Sequence, residues 1–233
     1  MKTPRWLRSA VKAPLTAEGI SRVISRLKAK APEWDSTAVA EVADQTNQDP
    51  FRILITCLLS FRTKDETTGP AADRLFALAK TPETISRLTP RQIERVIYPV
   101  GFYRTKARLI LSFCRELPER FNGKVPPHLD ALLTLPGVGR KTANLVITRA
   151  FALPGICVDT HVHRIVNRLG FVRTKTPEQT ELALREKLPP RHWIEVNELL
   201  VAFGKNICAP LSPKCSICPV HNACHRVGVR RSR

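Results

Sequence analysis

Residues 128–151 read HLDALLTLPGVGRKTANLVITRAF, and this stretch decides the fold class. Leu129, Leu132 and Leu133 repeat at helical spacing, and Pro136 stops the helix they begin. Gly137 and Gly139 tolerate turn angles that other residues resist. A second helix starts near Arg140 and continues through Ala143, Val146, Ile147 and Ala150. The string is a helical hairpin with a glycine turn. Backbone N–H groups of that turn and of the new helix's first turn point outward, and with the helix dipole they form an anion site. Without side chains on the glycines a phosphate comes close, and Arg140 adds charge. A plain hairpin between packed helices is the other reading of the same glycines.

Lys141 sits in the first turn of the second helix, where helix electrostatics ordinarily prefer an anion. A neutral lysine amine forms Schiff bases at carbonyl-level carbons, so Lys141 is a candidate nucleophile. A surface lysine touching a phosphate is the plainer alternative. Asp159 lies 18 residues on, in GICVDTHVHRIVNRLG (155–170). It precedes an amphipathic helix and suits an N-cap. The intervening helix and loop also allow its carboxylate to face Lys141.

The rest of the chain keeps the helical period. Ile20, Val23, Ile24 and Leu27 repeat at i, i+3, i+4, i+7, as do Val162, Ile165, Val166 and Leu169. Thr81-Pro82, Thr89-Pro90, Thr176-Pro177 and Asp49-Pro50 mark helix starts, with Gln92 and Gln179 placed to complete capping boxes. Gly170 and Gly204 read as helix stops. No segment alternates with period two. The reading is an all-α protein of about ten short helices, with no internal repeat and no domain boundary visible in composition.

Thirty-eight Lys and Arg against 20 Asp and Glu give a net charge of +18 over 233 residues. That balance favours a polyanionic partner through phosphate contacts and counterion release. The hydrophobic fraction of 43% suits a packed core. No apolar run approaches the roughly 20 residues needed to span a bilayer, so no membrane partner is expected. No secretory signal is read either, which points to a cytoplasmic, nucleoid-associated protein. Residues 1–17 are basic; a solvated arm is preferred over a transit peptide.

Seven cysteines with no secretory signal suggest thiols and metal ligands rather than disulfides. Cys208, Cys215, Cys218 and Cys224 lie in KNICAPLSPKCSICPVHNACHR (205–226) with spacing C-x6-C-x2-C-x5-C. Four thiolates this close suit one tetrahedral metal or one cubane cluster. Zinc usually takes two C-x2-C pairs and only one is present, although His221 and His225 offer substitutes. Cys57, Cys114 and Cys157 read as small core residues.

The hairpin string LPGVGRKTANLVITRAF, then VDTHVHRIVNRLG, then the cysteine spacing together resemble the endonuclease III family of DNA glycosylases. DPFRILITCLLSFRTKD (49–65) looks like that family's N-terminal active-site helix and turn, and FNGKVP (121–126) fits as well. The resemblance implies a two-lobed helix–hairpin–helix DNA glycosylase fold. Residues 43–153 would form a six-helix barrel domain, and residues 1–42 with 154–233 a discontinuous domain holding a 4Fe–4S cluster. Cys208, Cys215, Cys218 and Cys224 would hold the cluster, whose loop presents Lys214 to phosphates. Lys141 matches the family's nucleophile and Asp159 its catalytic aspartate. Ser60, Arg62, Asp65, Gly137, Val138, Gly139 and Arg140 fall on its DNA-binding positions. The implied partner is double-stranded DNA with damaged bases or abasic sites, bound by a monomer. The implied reaction is excision of oxidised pyrimidines, with the target base flipped out, followed by β-elimination 3′ to the abasic site.

The adenine-excising branch resembles this family but lacks that lysine and carries a glutamate in the first active-site helix; ILITCLLS (53–60) has none. One departure concerns specificity. Family members commonly carry glutamine where this chain has Arg62, and His163 stands where a larger apolar residue is common. Arg62 keeps a thymine- or uracil-mismatch glycosylase open as a second reading. A non-catalytic iron–sulfur DNA-binding or redox-sensing protein is a third, which would leave Lys141 and Asp159 idle.

Overall fold

Capping side chains and prolines divide the chain into short helices. The computed structural model describes residues 14–35 and 37–233, so the basic N-terminal arm lies largely outside the described residues. Twelve α-helices and no strand occur among them. In order they are α1 (Ala17–Lys30), α2 (Ala38–Gln45), α3 (Pro50–Ser60), α4 (Asp65–Leu78), α5 (Pro82–Ser86) and α6 (Pro90–Ile97). There follow α7 (Tyr103–Phe121), α8 (Leu129–Leu133), α9 (Arg140–Ala150), α10 (Thr160–Leu169), α11 (Pro177–Lys187) and α12 (Val196–Asn206). No described helix is long and apolar enough to cross a membrane.

The expected starts are in place, with one change of detail. Asp49, Thr81, Thr89 and Thr176 each accept a backbone N–H in the first helical turn. Thr89 and Gln92 form a reciprocal capping box. Gln179 reaches one residue further back, accepting from the N–H of Lys175 at 2.9 Å.

Two hydrophobic cores result. In the first, α3 is buried on nearly every side, from Phe51 through Leu59, as a helix apolar all round must be. It touches α2, α4, α7 and α9, with α5, α6 and α8 added outside. This core runs from Val39 to Phe151. Cys57 and Cys114 belong to it, and burial pushes the Cys57 thiol up to about 12. The second core joins α1 to α10, α11 and α12, with Ile156, Val158 and Val220. Trp34, following α1, meets Phe203 of α12 with ring centroids 5.6 Å apart. The chain crosses between cores at 34–39 and again at 151–156.

Gly170 ends α10 in the left-handed conformation (φ 77°), as a helix stop should. Gly204 does not end a helix. It is buried inside α12, which runs two residues further to Asn206. Its role is close packing: a Cβ there would lie 2.4 Å from His161 Nδ1 and 2.9 Å from Arg164 Nη2, both on α10. Gly204→Ala should therefore overpack the α10–α12 contact and lower stability by about 1–3 kcal/mol, read as a reduced urea midpoint at unchanged slope.

Candidate active-site cleft and cysteine loop

Helix α9 begins at a bare turn. Gly137 has φ 72°, and a Cβ on it would lie 2.3 Å from Leu109 Cδ2, so both conformation and packing demand glycine. Gly139 is the N-cap of α9, no side chain caps the helix, and open space surrounds the Gly139 Cα. Uncapped N–H groups beside open space are what an anion needs. The neighbouring residues take other roles. Val138 is buried in the first core and donates its N–H to Leu135 O at 3.2 Å, leaving its side chain no access to a ligand. Arg140, expected to add charge for a phosphate, is held by Glu181 of α11 through two hydrogen bonds of 2.9 and 2.6 Å and keeps 42% of its side chain exposed. Burial alone would raise the Glu181 carboxyl, but Arg140 and Arg185 outweigh it and hold it below its ordinary value.

A cleft of about 960 Å³ opens between the lobes, and Ser60, Arg62, Asp65, Lys141 and Asp159 all line it. Gly137, Val138, Gly139, Arg140 and Lys214 are not among its lining residues. Lys141 is exposed and makes no ion pair or hydrogen bond among the described residues. Asp159 caps α10: its Oδ1 accepts from His161 N and Val162 N, both at 2.8 Å. Oδ2 has no protein partner among the described residues. Asp159 thus caps α10 and also lines the cleft that Lys141 lines.

The cleft holds residues that sequence reading did not single out. His161 lines it, and burial, helped by Arg164 and opposed by the Asp159 carboxylate, lowers its imidazole below the ordinary value. Lys205 of α12 bridges to Asp65 of α4 at 2.7 Å, so Asp65 is an inter-lobe contact here. Arg149 of α9 pairs with Glu198 of α12 and lies 3.5 Å from Asp44. The Arg149 and Glu198 partners are 49 residues apart, a separation that leaves no local pattern to read.

Arg62 occupies a tight turn with φ 50°. Its guanidinium lies over the rings of Phe61 (5.7 Å) and Phe102 (5.5 Å), both exposed. Ser60 closes α3 by donating to Cys57 O at 2.9 Å. Beneath the turn, Lys106 is 5% exposed. Its Nζ donates to Leu59 O (2.7 Å), Phe61 O (2.6 Å) and Thr63 Oγ1 (3.2 Å). Burial pushes its ammonium down to about 8.

Cys208, Cys215, Cys218 and Cys224 line one pocket in the second lobe, with Ile165, Leu169 and Phe203 behind them. Burial, with a smaller push from the three neighbouring thiols and against a backbone hydrogen bond at Val220, raises Cys218 to about 11. Buried Arg168 donates to Cys208 Sγ at 3.4 Å, and the N–H of Arg226 to Cys224 Sγ at 3.3 Å. Cationic and N–H donors to sulfur suit a cluster held by four thiolates. Of the two histidines offered as zinc substitutes, His221 lines this pocket and His225 does not. His221 Nδ1 lies 2.8 Å from Cys215 O, and His225 packs over Gly170. Among the described residues no three His, Cys, Asp or Glu side chains are arranged for a single metal ion. Lys214 is exposed on this loop, its N–H bonded to Ile207 O at 2.9 Å.

Residues 55–190 match the family model for HhH-GPD superfamily base excision DNA repair proteins. The chain is 48% identical over 176 residues to endonuclease III of Thermotoga maritima, covering 76% of this chain and 83% of that relative. It is similar to the solved structure of a trapped endonuclease III–DNA covalent intermediate, an estranged-adenine complex. That likeness has a TM-score of 0.80 at 33% identity, over 91% of this chain and 97% of the other. A thermostable thymine-DNA glycosylase is similar at a TM-score of 0.69 and 26% identity, over 87% and 96%.

The support under the Arg62 turn is directly testable. Lys106→Met leaves the Leu59 and Phe61 carbonyls without their donor and should cost about 2 kcal/mol of stability, measured by urea unfolding, whereas Lys106→Arg should recover part of it.

Proposed function

The chain belongs to the HhH-GPD superfamily of base excision DNA repair proteins, and from that premise we propose that it excises oxidised pyrimidines and cleaves the abasic strand through Lys141. It is a DNA glycosylase and abasic-site lyase of the endonuclease III kind. The observation that carries the finer reading is the pairing of Lys141 with Asp159 in one inter-lobe cleft, the lysine being without a protein partner among the described residues.

The target nucleotide leaves the stack and enters the cleft. The neutral Lys141 amine attacks C1′ as the C1′–N bond to the base breaks, and the base leaves with that electron pair and takes up a proton. Asp159, already fixed by its two backbone donors, supports the positive charge that develops on the sugar and relays protons from the amine. Loss of a proton from nitrogen with opening of the sugar ring gives the Schiff base. Removal of a C2′ proton then expels the 3′ phosphate. Phosphates flanking the lesion meet the uncapped start of α9 and the exposed Lys214.

Cys208, Cys215, Cys218 and Cys224 would hold the 4Fe–4S cluster. When bound it supplies cross-linking of the C-terminal loop rather than a reaction step, and Arg168 and the N–H of Arg226 orient Cys208 and Cys224 beside it. Arg62 and the likeness to a thymine-DNA glycosylase favour, as a second reading, a mispaired thymine or uracil as the target base.

Sodium borohydride should trap the chain covalently on a duplex containing thymine glycol or an abasic site. Lys141→Gln should abolish trapping, and Asp159→Asn should slow it while retaining the fold. Undiminished trapping by the Lys141 variant would overturn the assignment, and a panel of single lesions and mismatches separates the two substrate readings. The purified protein should absorb visibly and carry about four irons and four sulfides per chain; a colourless protein with stoichiometric zinc would exclude the cluster.

A further inference from the structure

The cleft contains a charged pair for which the chemistry at Lys141 has no use. Lys141, Leu145 and Arg149 stand four residues apart on α9, share one face, and all line the cleft. Eight residues of helix separate the Lys141 and Arg149 backbones by about 12 Å. Arg149 donates through Nη1 to Glu198 Oε2 on the opposite lobe. Its Nε–H is buried and has no acceptor among the described residues. Buried donors are rarely left unpaired in folded proteins. Glu198 lines the cleft and keeps 43% of its side chain exposed. Its neighbour Asn197 is committed to Cys157 O at 3.2 Å. One part of the cleft therefore carries an unpartnered amine. Another carries an acceptor-only carboxylate beside a donor-only guanidinium, with apolar Leu145 and Val158 also in the lining.

Resting on the glycosylase reading above, we propose that Arg149 and Glu198 read the edge of the flipped-out base and favour pyrimidine lesions of the imide class, whose ring N3–H lies between two carbonyl oxygens. Glu198 accepts the N3–H, and Arg149 donates to an adjacent carbonyl. Leu145 supplies apolar contact to the ring, whose sugar carbon C1′ is then left toward Lys141. An abasic sugar has no such edge, so its cleavage does not call on the pair.

The test compares three duplexes cut by the intact, cluster-loaded protein: one with 5,6-dihydrothymine, one with its N3-methyl analogue, and one with an abasic site. Glu198→Gln and Arg149→Lys, both chosen to keep a hydrogen bond across the lobes, should lower kcat/KM for dihydrothymine by roughly tenfold, the loss of one charge-assisted hydrogen bond. Cleavage of the abasic duplex by the same samples should stay within about twofold. The methylated base should be a poor substrate for the parent protein and insensitive to Glu198→Gln. Unchanged dihydrothymine excision would overturn the proposal. So would a parallel fall in abasic cleavage, which would make the pair a strut between lobes, or an equal loss on the methylated base. A parent protein that cuts abasic duplex but no imide lesion overturns the base-reading assignment and leaves the lyase reading standing. One that cuts neither overturns both.

Discussion

One buried carboxylate holds the two lobes in register. Glu181 of α11 accepts from Arg140, Arg185 and Asn144, and Asn144 in turn accepts from the N–H of Ile156. Arg140 immediately precedes Lys141, and Ile156 lies three residues before Asp159. The network therefore fixes the helix that carries Lys141 and the segment that leads to Asp159 to one anchor. Removing one partner of such a set leaves the remainder buried without compensation. How the α9 start and the segment before Asp159 are placed relative to one another depends on this contact more than on either segment's own loop.

The same point explains what the sequence disclosed and what it withheld. Features written in local spacing were legible: the hairpin of 128–151, the capping threonines, the left-handed Gly170 and the four-cysteine spacing. Each depends on residues within a turn or two of one another. Features that depend on distant partners were not. The pairing of Arg140 with Glu181 could not be read, because the partners stand 41 residues apart. Gly204 read as a stop because its true neighbours, His161 and Arg164, belong to another helix. Val138 sits in the glycine turn expected to meet DNA, yet its side chain packs in the first core. Arg149, Glu198 and Lys106 carry no motif at all; only their convergence on the cleft or beneath the Arg62 turn marks them.

Charge is distributed with the same economy. Cations outnumber acids by 18, yet Asp65, Glu181 and Glu198 are all engaged in ion pairs across the lobes. Acids taken into these pairs no longer repel a polyanion from the cleft. Lys141 keeps its amine free while Arg140, Arg149 and Lys205 around it are paired. The positive field that draws in DNA is long-ranged and weakened by salt, whereas the half-buried bridges that shape the cleft are screened far less.

The second lobe is assembled from sequence that is far apart. Lys28 pairs with Glu195 across 167 residues, and Arg191 bonds Ser21 across 170, while the first core is drawn from one continuous run. On a ribosome the barrel around α3 is complete before its companion exists, and α1 must wait, its apolar face uncovered, until α12 has been synthesised. Closing so long a loop is slow compared with the local pairing that builds the barrel. The helix that carries Lys141 is in place before the lobe that bears Asp159 has closed, so the cleft that both line is complete only when α12 has docked.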